Sequence, residues 1–186
     1  DFYSAITRPP AVYRGNPFQI EVGVAYARPG ENEDLGADDP ARIMRFANRV
    51  PLLYMGGACA ITKATAGVNW KTYGLSQPRG SMPVGPLVIM VHIASVWVPF
   101  TSESKEAIAD YDEIRKELKS ALQECGRKLG TYLRRRQKMK KEAERRSVFE
   151  RYIGEIATAC HNITGTNARA LFVALKKIAA RQTEEA

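Results

Sequence analysis

The apolar residues of this chain keep two different periods, and the change falls at Pro99. Before it, the stretch FQIEVGVAY (18–26) sets Phe18, Ile20, Val22, Val24 and Tyr26 against Gln19, Glu21, Gly23 and Ala25. Alternation of that kind predicts a half-buried strand. After Pro99, Ile108, Tyr111, Ile114, Leu118, Leu122, Cys125, Leu129 and Leu133 step by three or four residues, the spacing of an amphipathic helix. A chain that reads as strands first and one long helix afterwards satisfies both patterns by laying that helix across a sheet. The expectation is an α+β, two-layer fold: a sheet packed with a crossover helix, a long projecting helix, and short helices at the end.

The remaining segments fill in that outline. Pro9, Pro10 and Pro17 predict an irregular lead-in, and the acidic, Gly- and Pro-rich stretch 28–40 reads as a surface loop of disordered composition. ARIMRFANRVPLLY (41–54) reads as a second strand ending near Pro51, GGACAITKATAGVNW (56–70) as a short helix, and 71–86 as turns. LVIMVHIASVWVPF (87–100) has the nearly continuous apolar pattern of a central strand covered on both faces, with His92 packed in its core. The long helix is expected over 105–146, which at 1.5 Å per residue is ~60 Å. Gly126 and Gly130 each cost it about 1 kcal/mol relative to alanine. Its apolar stripe ends at Leu133. Apolar faces resume at Phe149, Tyr152, Ile153 and Ile156 and, past Gly165, at Leu171, Phe172, Leu175 and Ile178. These fit either a partner subunit or a hairpin folded on itself. The expected divisions are 1–133, a basic stalk at 134–147, and a C-terminal helical segment at 148–186.

Charge is localised. The chain carries a formal +8, but its first hundred residues hold nine Lys/Arg against seven Asp/Glu. RRRQKMKKEAERR (134–146) alone holds eight Lys/Arg against two Glu. A basic stripe on a nearly neutral body suits an anionic partner, or is simply a solvated spacer. The absent motifs narrow the chemistry. There is no Walker A loop, no GxGxxG after a strand, no HExxH, no GxSxG and no Cys/His metal cluster, and Cys59, Cys125 and Cys160 are widely spaced. No self-sufficient catalytic centre and no metal site are expected. The three cysteines fit a reducing compartment, and without an apolar run of eighteen residues no transmembrane helix is expected. A chain opening on Asp1 reads as a segment of something longer.

One cation stands apart. In VPFTSESKEAIAD (98–110), Thr101, Ser102 and Ser104 are helix-capping residue types, so a helix is expected to open there with Lys105 in or near its first turn. That is the positive end of the helix dipole, where a lysine is out of place unless it meets an anion. It is otherwise a solvated lysine balanced by Glu103 and Glu106. In NWKTYGL (69–75), Trp70 and Tyr73 flank Lys71, an arrangement that suits a nucleic-acid backbone or a pair of core aromatics beside a solvated lysine.

The blocks ITRPPAVYRGNPFQIEVGVAY, RFANRVPLLY, CAITKA, NWKTYGL and VPFTSESKEAIAD, in order over residues 5–130, together resemble the B subunit of DNA topoisomerase VI, a type IIB topoisomerase. That resemblance implies a transducer domain of the GHKL ATPases, the module that follows the nucleotide-binding domain. It implies that Lys105, supported by Thr101, Ser102 and Ser104, contacts the ATP γ-phosphate, with ATP and Mg held mainly by a domain outside this chain. It further implies double-stranded DNA near Lys71, Arg134, Arg135, Arg136, Lys138, Lys140 and Lys141. The implied partners are the topoisomerase VI A subunit and a second B subunit in a heterotetramer. The implied setting is intracellular, in archaeal cytoplasm or plant nuclei. The competing reading is a non-catalytic, B-like scaffold that binds DNA and a cleavage subunit.

Overall fold

The computed structural model describes residues 2–27 and 36–184, so most of the acidic loop lies outside the described residues. The alternating stretch becomes β3 (Asn16–Tyr26), and it carries two partners along one edge: β1 (Phe2–Thr7) and β2 (Ala11–Tyr13), both antiparallel. Pro9 and Pro10, which donate no ladder hydrogen bond, fall in the gap between β1 and β2. On its other edge β3 pairs antiparallel with β6 (Leu87–Ser95), and β6 pairs in parallel with β4 (Arg42–Ala47). A two-residue β5 (Val50–Pro51) ends the sheet. Between the parallel strands β4 and β6 lies α1 (Ala60–Ala66), the crossover helix that the pattern predicts.

The segment 41–54 is therefore two strands, where the sequence suggested one. Asn48 and Arg49 turn the chain with φ of 46° and 69°, the left-handed pair of a tight hairpin that asparagine tolerates. Apolarity on both sides of that turn hides it from a pattern search.

The core lies on one face of the sheet. Ile20, Val22 and Val24 of β3 stand beside Ile93, Val91 and Ile89 of β6, all buried. Helix α2 (Asp112–Thr164) covers them with Ile114, Leu118, Leu122, Cys125 and Leu129. The Cys125 thiol reaches the Val22 carbonyl at 3.6 Å, and burial pushes its pKa up to about 11. The opposite face is open, with Met44 and Met90 exposed, so β6 is central but not covered on both faces as expected. Its continuous apolar run reflects β propensity as much as burial. His92 lies on this open face rather than in the core. Its Nδ1 sits 2.8 Å from Glu21, and its Nε2 accepts the Arg49 amide, which makes Nδ1 the donor.

The chain forms two compact units, residues 1–134 and 135–186, and the division falls within α2. In the second unit α2 ends where Gly165 takes a φ of 70° and donates to the His161 carbonyl. Asn167 then caps α3 (Ala168–Glu184), its Oδ1 accepting the amides of Arg169 and Ala170. Ile153 and Ala157 are buried in this unit, and Lys176 pairs with Glu150 at 3.1 Å. The hairpin thus does fold on itself, though Phe149, Tyr152, Ile156 and Ile178 remain more than half exposed. His161 Nδ1 meets the Thr166 carbonyl at 2.7 Å.

Candidate functional site

No helix opens at 101–105. The stretch forms a narrow loop, closed by Phe100 bridging antiparallel to Ile108. The Thr101 amide donates to the Ala107 carbonyl and the Ala109 amide to that of Pro99. Ala107 and Ile108 are fully buried, and this anchorage overrides the local capping signal. Helix α2 begins at Asp112, where Asp112 and Glu113 supply the acidic first turn that the dipole favours. Lys105 thus stands well ahead of the helix, and the helix dipole provides no anion site at its side.

What replaces it is a strained tip. Lys105 has a φ of 54°, a left-handed conformation uncommon for a residue with a side chain. Its amide donates to the Ser102 carbonyl. The hydroxyls expected to cap instead brace the loop: Ser102 Oγ lies 2.7 Å from Ser104 Oγ, and Thr101 Oγ1 donates to the Ala107 carbonyl. The Lys105 side chain is exposed and lines a cavity of about 550 Å³, together with Arg14, Asn16, Asn48, Trp97 and Glu103.

Nothing in the local sequence singles out Arg14. It occupies the tight turn between β2 and β3 at a φ of 46°, with its guanidinium 5.5 Å from the Tyr13 ring centre and 5.3 Å from that of Tyr111. The two rings lie 4.3 Å apart. Tyr13 is only 6 % exposed, and its hydroxyl pKa is pushed up to about 12, first by burial and then by its hydrogen bond with Tyr111, with Arg14 opposing.

Trp70 and Tyr73 are structural. Trp70 is wholly buried, with Nε1 donating to the Thr65 carbonyl at 2.8 Å. Tyr73 meets Trp70 edge to face at 6.1 Å and fits where α2 has no side chain. A Cβ on Gly126 would come within 2.5 Å of the Tyr73 ring, and one on Gly130 within 3.2 Å of its Cα. Two glycines that look like a cost to the helix are the socket for this turn. Lys71 is left outward and exposed between the two aromatics.

The basic stripe is helical throughout and almost entirely exposed. Within the second unit Lys138, Lys141 and Arg145 recur at steps of three and four, which puts them on one side of α2. Lys138 stands 3.8 Å from Glu142 and Lys140 3.9 Å from Glu144. Among the described residues Arg135, Arg136 and Lys141 carry no ion pair. Arg134, Lys71 and Lys105 belong to the first unit and the rest of the stripe to the second. Among the described residues no three His, Cys, Asp or Glu groups are placed to hold a metal ion, and no helix is long and apolar enough to cross a membrane.

Residues 1–145 match the family model for the topoisomerase VI B subunit, transducer. The chain belongs to that family. It is 52 % identical over 157 residues to the B subunit of type 2 DNA topoisomerase 6 from Methanococcoides burtonii, covering 84 % of this chain and 24 % of the relative. Against the B subunit of the same name from Pyrococcus furiosus it is 42 % identical over 166 residues, covering 89 % and 27 %. The chain thus spans about a quarter of the length of these relatives. A solved structure, the B-subunit of DNA gyrase from Myxococcus xanthus, aligns with a TM-score of 0.41 at 17 % identity, over 67 % of this chain and 34 % of that one.

Proposed function

We propose that this transducer serves the ATP-hydrolysing subunit of a type II DNA topoisomerase by carrying the nucleotide state to a DNA-cleaving A subunit. In this reading ATP and its Mg are held mainly by a nucleotide-binding domain outside these 186 residues. The residues here that suit the nucleotide are cations for its terminal phosphate. A lysine ammonium is a compact charge matched to a γ-phosphate. An interaction that forms with ATP and not with ADP supplies the differential affinity that a conformational switch requires.

The observation that carries the reading is the placement of Lys105. Its loop is anchored by buried Ala107 and Ile108 and leads directly into α2, which starts at Asp112. A force on the ammonium has a short, well-tethered route into the helix that packs across the sheet. Lys71 and the Arg134, Arg135, Arg136, Lys138, Lys140 and Lys141 cluster are read as contacts to duplex phosphates, without base readout. The exposed Phe149, Tyr152, Ile156 and Ile178 are read as surface for the A subunit. A second B subunit completes the assembly on nucleotide binding. The relatives named here are archaeal, which favours the cytoplasm.

The test is Lys105→Gly in the full-length protein assembled with its A subunit. Glycine accepts the positive φ, so the whole side chain and its charge are removed without adding backbone strain. ATP-dependent relaxation of supercoiled DNA should fall at least tenfold. Unchanged turnover and relaxation would refute the sensor role; no ATP-dependent relaxation by the unaltered assembly would instead favour the non-catalytic scaffold.

A further inference from the structure

The cavity beside Lys105 holds a second cation whose position is set by quite different means. Lys105 stands on an exposed loop tip. Arg14 is pinned in the β2–β3 turn, over a pair of tyrosine rings whose centres are 4.3 Å apart. Among the described residues it has no ion pair, and the one carboxylate lining the same cavity is Glu103, on the lysine loop itself. The rings hold the guanidinium by cation–π contact while leaving its N–H donors unused. Asn16 and Asn48 also line it, their amides already donating to the Arg14 and Ser95 carbonyls, and Trp97, 70 % exposed, gives the rim an apolar edge. The cavity of about 550 Å³ has apolar walls that include Val96, Val98, Pro99 and Phe100, and its charged groups are two cations against one acid, a net positive balance that suits the end of an anion.

Resting on the reading of Lys105 given above, we propose that Arg14 is a second cation for the same terminal phosphoryl group. The division of labour follows from the supports. Arg14 is pre-oriented, so it loses little freedom on binding and can offer a planar fork to two phosphate oxygens. Lys105 supplies the point charge on the strained loop that leads toward α2. Arg14 receives the phosphate, and Lys105 transmits its presence. A single lysine could satisfy only part of a dianionic terminal phosphate, whereas the pair brings two positive charges to it.

The experiment compares a non-hydrolysable ATP analogue with ADP for binding to the full-length protein carrying Arg14→Met, Arg14→Lys or Lys105→Gly. Arg14→Met should weaken the ATP analogue about tenfold or more, the scale of a lost hydrogen bond to a charged group. ADP affinity and the thermal midpoint should hold steady. Arg14→Lys should recover part of the loss, because charge returns without the fork. If Lys105→Gly discriminates between the nucleotides and Arg14→Met does not, Arg14 has no phosphate role and the lysine reading stands. If Arg14→Met weakens both nucleotides equally and lowers the thermal midpoint, Arg14 is a structural cap on the tyrosines and the proposal is overturned. If neither variant discriminates, the lysine reading itself fails, and this proposal with it.

Discussion

At the scale of single residues, two groups make sharp predictions about stability. Lys105 holds a left-handed conformation that costs a non-glycine residue roughly 1–2 kcal/mol. Lys105→Gly should therefore raise folding stability by about 1 kcal/mol, measured by denaturant unfolding, whereas Lys105→Ala should not raise it. Cys125 bears on pH. Its thiol pKa is moved by burial from 9.0 to about 11, so the folded chain holds that proton more tightly than the unfolded one. The stabilising contribution is complete below about pH 9 and is lost as pH rises toward about 11. The thermal midpoint should fall across that window, and Cys125→Ala should flatten the fall. An equal slope in both proteins would rule the thiol out as its cause.

At the scale of elements, the packing of the Trp70–Tyr73 turn on α2 decides how the helix is seated. Gly126→Ala gains about 1 kcal/mol of helix propensity but drives a methyl into the Tyr73 ring, where overpacking costs about 1–3 kcal/mol. The net effect should be destabilising. In a Tyr73→Ala background the ring is gone, and the same Gly126→Ala change should become stabilising by about 1 kcal/mol. A double-mutant cycle of chemical unfolding curves measures that change of sign. These elements were also unevenly legible in the sequence. Period two marks β3, and the spacing from Ile114 to Leu129 marks the buried face of α2, because both patterns record burial directly. The β4–β5 hairpin escaped because its turn residues sit inside a largely apolar run. The expected early helix start failed because hydroxyl residues that could cap a helix can equally brace a loop. The glycines of α2 read as defects until the partner filling the gap could be seen.

At the scale of the molecule, the family was legible and the site only partly so. The five blocks that suggested a topoisomerase VI B transducer lie within the 145 residues that the family model matches. Lys105 stands out in the sequence through cap-type hydroxyls that place it at an expected helix start, and because α2 begins only at Asp112 the family resemblance alone is left to single it out. Arg14 could not be singled out, since its companion Tyr111 lies about a hundred residues away and only the fold joins them. The basic stripe makes a prediction at this scale. With the full assembly bound to a duplex, replacing Arg134, Lys138, Lys141 and Arg145 by glutamine should weaken binding uniformly across sequences. The slope of log affinity against log salt should become shallower by about 0.9 for each phosphate no longer neutralised. An unchanged slope would return the stripe to a solvated spacer.

The sensor role turns on where one ammonium goes when nucleotide is present. The direct measurement is a pair of structures of the full-length protein, one with a non-hydrolysable ATP analogue and one with ADP. Lys105 Nζ is expected about 2.8 Å from a γ-phosphate oxygen in the first, a charge-assisted hydrogen bond, and withdrawn from the nucleotide in the second. A Lys105 side chain facing solvent in both would contradict the role.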